Sequence, residues 1–182
     1  MQPSRACRLL VEHFETRELE AYPDPFSPLG RACTKAKLPM REYRAIEGWE
    51  ELSGRPWTGG WGRAHGLSQG QKLTESEADQ WCDEDLAAAC GLVEQRIPHP
   101  LTQFQLDALT SLYYNCAEPK PTLEKMIAQG LWAGAAAQFL RWDHVGGEVV
   151  PGLLRRRRAE RLMFKGLLDP LAPGFSWPDL SS

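Results

Sequence analysis

The sequence predicts an α+β fold, mostly helical, with a small irregular β lobe. Three observations carry this expectation. From about Gly70 onward apolar residues recur at helical spacing, and two capping boxes open helices. Before that, Pro56-Trp57-Thr58-Gly59-Gly60-Trp61-Gly62 sets aromatics against glycines in a turn-rich run that suits a short sheet or hairpin. The opening segment reads as an amphipathic helix that two prolines bring to a halt.

Taken in order, that first helix is expected over residues 3–21, with Leu9, Leu10, His13 and Phe14 at helical spacing. Tyr22-Pro23-Asp24-Pro25 stops it, because a proline ring removes a donor and clashes with the preceding turn. Glu15 then falls in the last turns of the helix and Asp24 in the loop beyond. Pro28, Gly30 and Pro39 mark the next stretch as loop-like, and residues 40–51 suit a short helix with Tyr43, Ile46 and Trp49 on one face. Thr74-Glu75-Ser76-Glu77 opens a helix running to about Gln95, which Pro98-His99-Pro100 breaks. Thr102-Gln103-Phe104-Gln105 opens the next, with Leu106, Leu109, Leu112 and Tyr113 facing inward. Pro119-Lys120-Pro121 ends that region, and Thr122 is expected to cap the following helix. Short helices then run through Ala137-Gln138-Phe139-Leu140 and over residues 153–167. The tail, residues 169–182, holds three prolines and is expected either to lie extended against the surface or to be partly disordered. Residues 1–168 thus form one domain. Its small lobe covers about 22–73, and its helical lobe covers about 74–168 with the N-terminal helix. A ligand cleft is expected between the lobes.

The chain has 182 residues, enough to bury one real core or two small lobes. Apolar residues at 42% and charged residues at 25% place it among soluble globular proteins. Seven tryptophans offer either core packing or flat platforms for ligands such as sugars. The net charge of -3 is uneven: residues 51–118 hold four basic and ten acidic side chains, residues 120–165 nine basic and four acidic. The basic half suits a polyanionic partner or a solvated helix face. Within it, Arg155-Arg156-Arg157-Arg158 reads as a solvated face with one or two buried ion pairs, Arg157 and Glu160 being three apart, and not as a nucleic-acid site.

Cys7, Cys33, Cys82, Cys90 and Cys116 are odd in number and not tightly spaced, so no disulfide framework is expected. Cys82 and Cys90 suit small core positions on a helix, and Cys116 a structural one. No CxxC is present, and His144 beside Asp143 lacks a second ligand pair, so no metal is expected. Such cysteine usage fits the reducing cytoplasm. Leu9-Leu10-Val11 is too short an apolar run for a signal core or a membrane span, so no stable membrane insertion is expected.

Two carboxyl groups flanking one bond can hydrolyse a glycoside, one donating a proton and the other remaining ionised. Glu15, beside Phe14 on a helix that must bury one side, suits the first role. Asp24, on a proline-rich loop, suits the second. Among twenty-four carboxylates, spacing alone does not single this pair out.

The run Phe14-Glu15-Thr16-Arg17-Glu18-Leu19-Glu20-Ala21-Tyr22-Pro23-Asp24 resembles the signature of phage lysozymes, glycoside hydrolase family 24. The resemblance puts the family's catalytic glutamate on Glu15 and its aspartate on Asp24. It puts the family's threonine, which helps hold the attacking water, on Thr58 within Trp57-Thr58-Gly59-Gly60-Trp61-Gly62. It continues through Gln105-Leu106-Asp107-Ala108-Leu109, Tyr114-Asn115, Gln138-Phe139-Leu140-Arg141-Trp142, Gly146-Gly147 and Gly152-Leu153. Arg156-Arg157, Glu160 and Phe164 follow in the same order.

What this resemblance implies is a lysozyme-like fold with an inter-lobe cleft. The implied reaction is hydrolysis of the β-1,4 bond between N-acetylmuramic acid and N-acetylglucosamine in peptidoglycan, with inversion and with no cofactor. Trp61, Gln105 and Asn115 are the candidates for holding the glycan strand, although helix polar groups that brace neighbouring loops would look the same. The implied protein is a monomeric phage or prophage endolysin, held in the host cytoplasm until a separate protein opens the membrane. The alternatives are a lytic transglycosylase, which leaves 1,6-anhydro products, and a non-catalytic wall-binding homologue.

The chain departs from the family pattern at three points. Thr16 stands where glycine is usual. Arg63 follows Gly62 where histidine is common, with His65 two places on. Residues 26–55 form an insert between Asp24 and Thr58, expected to lengthen one wall of the cleft; Thr34 within it competes with Thr58 but lacks the aromatic and glycine context.

Overall fold

The opening helix is shorter than its amphipathic pattern implies. In this computed structural model, which describes residues 1–181, α1 runs only Arg5–Phe14. The residues expected to continue it turn away and form strand β1, Glu18–Pro23. The reason is non-local. β1 pairs antiparallel with β2, Trp57–Gly60, placing Glu18 opposite Gly60, Tyr22 opposite Thr58 and Pro23 opposite Trp57. A partner more than thirty places along the chain satisfies the backbone, and no helical period within residues 15–21 reports it. Glu15 therefore stands just past the end of α1, not in its last turn.

The chain divides into two compact units, residues 15–84 and residues 1–14 with 85 onward. The first of these is built on the β1–β2 pair, whose register shifts between Glu18 and Tyr22 in a bulge. A third segment joins the edge, with Ala21 N–H donating to Gln71 and Leu73 N–H to Leu19. The stretch expected to be loop-like contains helix α2, Pro28–Ala36, which Ser27 caps and Pro28 starts. The prolines that suggested a loop mark the helix start instead. Two short 3-10 turns follow, Met40–Ala45 and Trp49–Glu51, in place of one helix. Together they bury Leu29, Cys33 and Tyr43 against Ala21 and Trp57, with Met40, Ile46, Trp49 and Leu52 around the edge. The insert thus has a small core of its own, bonded to the strand pair.

The helix α3, Glu75–Arg96, opens on the expected box: Thr74 Oγ1 accepts from Glu77 N–H at 3.2 Å and Glu77 Oε2 accepts from Thr74 N–H at 2.7 Å. It begins in one unit and ends in the other.

The helical unit is centred on α4, Gln103–Asn115, opened by the Thr102–Gln105 capping box. Leu106, Leu109, Leu112 and Tyr113 are buried as expected, among side chains of α1, α3, α5 (Pro121–Ala128), α6 (Trp132–Gln138) and α7 (Pro151–Phe164). Helix α5 starts on Pro121 with Lys120 at the cap position, so Thr122 is not its cap. Gly146 and Gly147, both at positive φ, turn a two-residue hairpin between β3, His144–Val145, and β4, Glu148–Val149. The tail does more than lie on the surface. Leu180 enters the core, Arg158 donates to its carbonyl at 2.7 Å, and Trp177 stacks on His13 with ring centres 3.8 Å apart.

The arginine run of α7 is split as expected. Arg156 and Arg157 are buried, and Glu160, fully buried, meets them at 3.2 and 2.9 Å. Ser111 Oγ donates to the same carboxylate at 2.7 Å. All five cysteines are free, and Cys82 and Cys90 are buried on α3. Among the described residues no helix is long and apolar enough to cross a membrane.

Candidate active site

The residues singled out from the sequence around Glu15 all lie within residues 15–84. The strand register sets their spacing. Thr58 is directly opposite Tyr22, and Asp24 is the second residue beyond Tyr22, just past the end of the ladder. Thr58 is buried, with its side chain on the rung that Tyr22 shares; Asp24 and Glu15 are half-buried. Thr34, the competitor, sits on α2 with its hydroxyl donating to Gly30 O at 3.1 Å, an ordinary bond back to the helix.

The backbone just after β2 brings Glu15 to this ladder. Gly62 has φ +98°, a conformation open to glycine, and a β-carbon there would lie 3.3 Å from Glu15 Oε2. The glycine thus does two things. It turns the chain, and it lets the backbone approach the carboxylate. Gly59 N–H donates to Arg63 O and Arg63 N–H to Gly59 O, both at 3.0 Å, which closes the turn.

Tyr22 is the group that links the two carboxylates electrostatically. Burial pushes its phenol up to about 12, and the negative charges of Glu15, Glu18 and Asp24 push in the same direction. The phenol therefore stays protonated throughout the neutral range and remains a hydrogen-bond donor. No residue pattern singles out Tyr22 by itself; its place inside the Glu15-to-Asp24 run is the available signal.

Asp24 is held on three sides. Its N–H is within 3.1 Å of both Gly54 O and Pro56 O. Its carbonyl accepts from Ser27 N–H at 3.0 Å and from Ser27 Oγ at 2.6 Å. Its Oδ1 accepts from Phe26 N–H at 2.7 Å, an Asx turn that leaves the other carboxylate oxygen out of this bond.

Trp61 is half-buried on the turn after β2. Its Nε1 donates to Asp79 Oδ1 at 2.8 Å, and Arg17 lies over its ring at 5.7 Å. Arg17 also pairs with Glu75 at 3.1 Å and Asp79 at 3.6 Å. These contacts fix the indole plane. Arg63, the departure from the family pattern, packs over Trp81 and pairs with Glu84 at 3.0 Å.

Gln105 and Asn115 belong to the other unit, and each has a structural partner there. Gln105 Oε1 accepts from Thr102 N–H at 2.9 Å in the capping box. Asn115 Oδ1 accepts from Arg157 at 3.1 Å and so extends the buried Glu160 network. Among the described residues, no group of three or more His, Cys, Asp or Glu is placed to hold a metal ion.

Comparison with known proteins agrees with the motifs. Residues 12–160 match the model of the family described as phage lysozyme. The chain is 36% identical over 140 residues to the endolysin of Acyrthosiphon pisum secondary endosymbiont phage 1, covering 72% of this chain and 95% of that one. It is 31% identical over 131 residues to the endolysin of Bacillus phage PZA, of which it spans about half, 49%. Among solved structures, the endolysin from Escherichia coli O157:H7 phage FAHEc1 aligns with a TM-score of 0.68 at 28% identity, over 93% of this chain and 97% of that one.

Proposed function

The chain belongs to the phage lysozyme family, and from that premise we propose how its own residues cut the substrate. As a family member it is a lysozyme of the expected α+β fold that hydrolyses peptidoglycan and so acts on the bacterial cell wall. The bond cut is the β-1,4 link between N-acetylmuramic acid and N-acetylglucosamine. Glu15 protonates the leaving oxygen as the bond breaks. Asp24, ionised, and Thr58, with a hydroxyl that both donates and accepts, hold and activate water on the opposite face of the sugar. Attack from that face inverts the anomeric carbon and needs room for a water between the carboxyl groups.

One observation carries this reading. In the strand pair Thr58 is the rung partner of Tyr22, and Asp24 lies two residues beyond Tyr22 at the end of the same ladder. Gly62, just after β2, faces the Glu15 carboxylate, which supports reading Glu15, Asp24 and Thr58 as acid, base and water-holder along one ladder. Trp61, its plane fixed by Asp79 and Arg17, offers a face to a sugar ring. Gln105 and Asn115 are the further candidates for holding the glycan strand, their amide oxygens braced by the cap of α4 and by Arg157 of the Glu160 network.

The finer biological reading is of an endolysin held in the host cytoplasm that works as a monomer on glycan strands. It reaches them once a separate protein opens the membrane. The experiment that tests the chemistry uses purified peptidoglycan. Glu15→Gln keeps the shape of the side chain but has no carboxyl proton, so clearing of the suspension should fall by roughly a hundred-fold or more. Near-normal clearing removes Glu15 from the acid role. Mass spectrometry of the fragments released by the unmodified chain should show hydrolysed reducing ends. Products lighter by one water would mark a 1,6-anhydro ring and a transglycosylase.

A further inference from the structure

The insert, residues 26–55, does not stand apart from the strand pair. Almost every bond that fixes Asp24 comes from its two ends. From one end, Ser27 N–H and Ser27 Oγ both donate to the Asp24 carbonyl, and Phe26 N–H donates to its carboxylate. From the other, Gly54 O accepts from Asp24 N–H. Leu29 N–H donates to Ser53 O at 3.0 Å and ties the two ends to each other. Leu29, Cys33 and Tyr43, all buried, give the insert the rigidity to hold that geometry.

Ser27 is the pivot of this arrangement. It is buried, and its hydroxyl is used twice: it donates to Asp24 O at 2.6 Å and accepts from Gly30 N–H at 3.0 Å, which caps α2. Gly30 presses on the same carbonyl from the first turn of α2. A β-carbon there would come 2.0 Å from Asp24 O, a distance no side chain tolerates. The start of α2 is therefore seated directly on the backbone of Asp24.

We infer that the insert is a positioning clamp for Asp24, with Ser27 as its positioning residue. The inference rests on the assignment of Asp24 to the base role above. A carboxylate that must aim water at one carbon loses rate quickly when displaced, up to about a hundred-fold for a shift near 1 Å. Here the departure from the family's usual length supplies the stiffness.

The test is a double-mutant cycle on the full chain with Ser27→Gly and Asp24→Asn. Glycine is nearly as good an N-cap as serine, so α2 should survive while the hydroxyl bond to Asp24 is lost. Turnover of purified, soluble glycan-peptide fragments gives kcat and KM separately, with the thermal midpoint recorded for each variant. Ser27→Gly should lower kcat roughly ten- to a hundred-fold, with KM within about two-fold of the parent. In the Asp24→Asn background the same change should cost nothing more in kcat, because the group being positioned is gone. A Ser27→Gly chain that turns over normally while Asp24→Asn is crippled overturns the clamp and leaves the base assignment standing. Equal losses from Ser27→Gly in both backgrounds also overturn it, since the serine would then act on the fold in general. Full turnover by Asp24→Asn removes the base assignment and the clamp together.

Discussion

Gly62 presents its bare α-carbon to Glu15: a β-carbon at that position would sit 3.3 Å from Oε2, on backbone whose φ of +98° already disfavours one. Gly62→Ala should therefore strain the turn and push the carboxylate at once. The expected cost is about 1–3 kcal/mol of stability, read as a lower urea midpoint with unchanged slope. Clearing of peptidoglycan, measured well below the melting range, should fall as well. An alanine variant with full activity and an unchanged midpoint would show that the turn relaxes freely.

Thr58→Val keeps the branched shape on β2 and removes the hydroxyl. Stability should change by no more than about 1 kcal/mol, whereas kcat should fall by about a hundred-fold if the hydroxyl helps hold the attacking water. A comparable loss from Thr34→Val, with Thr58→Val silent, would move the role to α2.

Tyr22 gives a prediction in pH. Its phenol is raised in the folded state to about 12 from an ordinary 10.0, first by burial and then by the charges of Glu15, Glu18 and Asp24. Below pH 10 the group is protonated in both folded and unfolded chains and adds no slope. Between 10 and 12 the unfolded chain loses its proton first, so stability falls as pH rises. Other buried tyrosines add slope of the same sign, so the readout is a difference. Subtracting the Tyr22→Phe stability curve from that of the parent should leave a fall confined to that window. A flat difference curve would place the phenol in ordinary solvent.

Glu160→Gln should be the most damaging change away from the site. The carboxylate meets Arg156 and Arg157 at 3.2 and 2.9 Å with no exposure to water. Neutralising it strands cationic groups in the interior, at a cost of about 3–5 kcal/mol. Chemical denaturation reads the loss, and a change below about 1 kcal/mol would mean that water reaches the arginines.

The features legible in the sequence were those written locally. The two capping boxes, the inner face of α4 and the buried pairs of α7 each depend on residues three or four apart, and all are present. The candidate carboxylates were legible as a motif and Thr58 as part of a glycine-aromatic run. The end of α1 was not, because β1 exists only through its pairing with β2 far along the chain. Helix α2 was hidden for a different reason. Pro28 and Gly30 read as breakers, yet one occupies the first helical turn and the other is demanded by contact with Asp24. The buried role of Leu180 had no local signal, since an apolar residue in a proline-containing tail looks alike whether it docks or not.

Helix α1 carries Ala6, Leu10 and Val11 with essentially no exposure, and the elements it packs on are α4 and α7. Those begin at Gln103 and Pro151. During synthesis the ribosome therefore makes α1 well before either partner. An isolated ten-residue helix is marginal in water, so α1 has no lasting partner until α4 has been made, and its packing is complete only with α7. Glu15 is the residue joined to its end. The helix that precedes Glu15 is thus unanchored in the nascent chain, and its packing is complete only when translation has passed most of the chain's length.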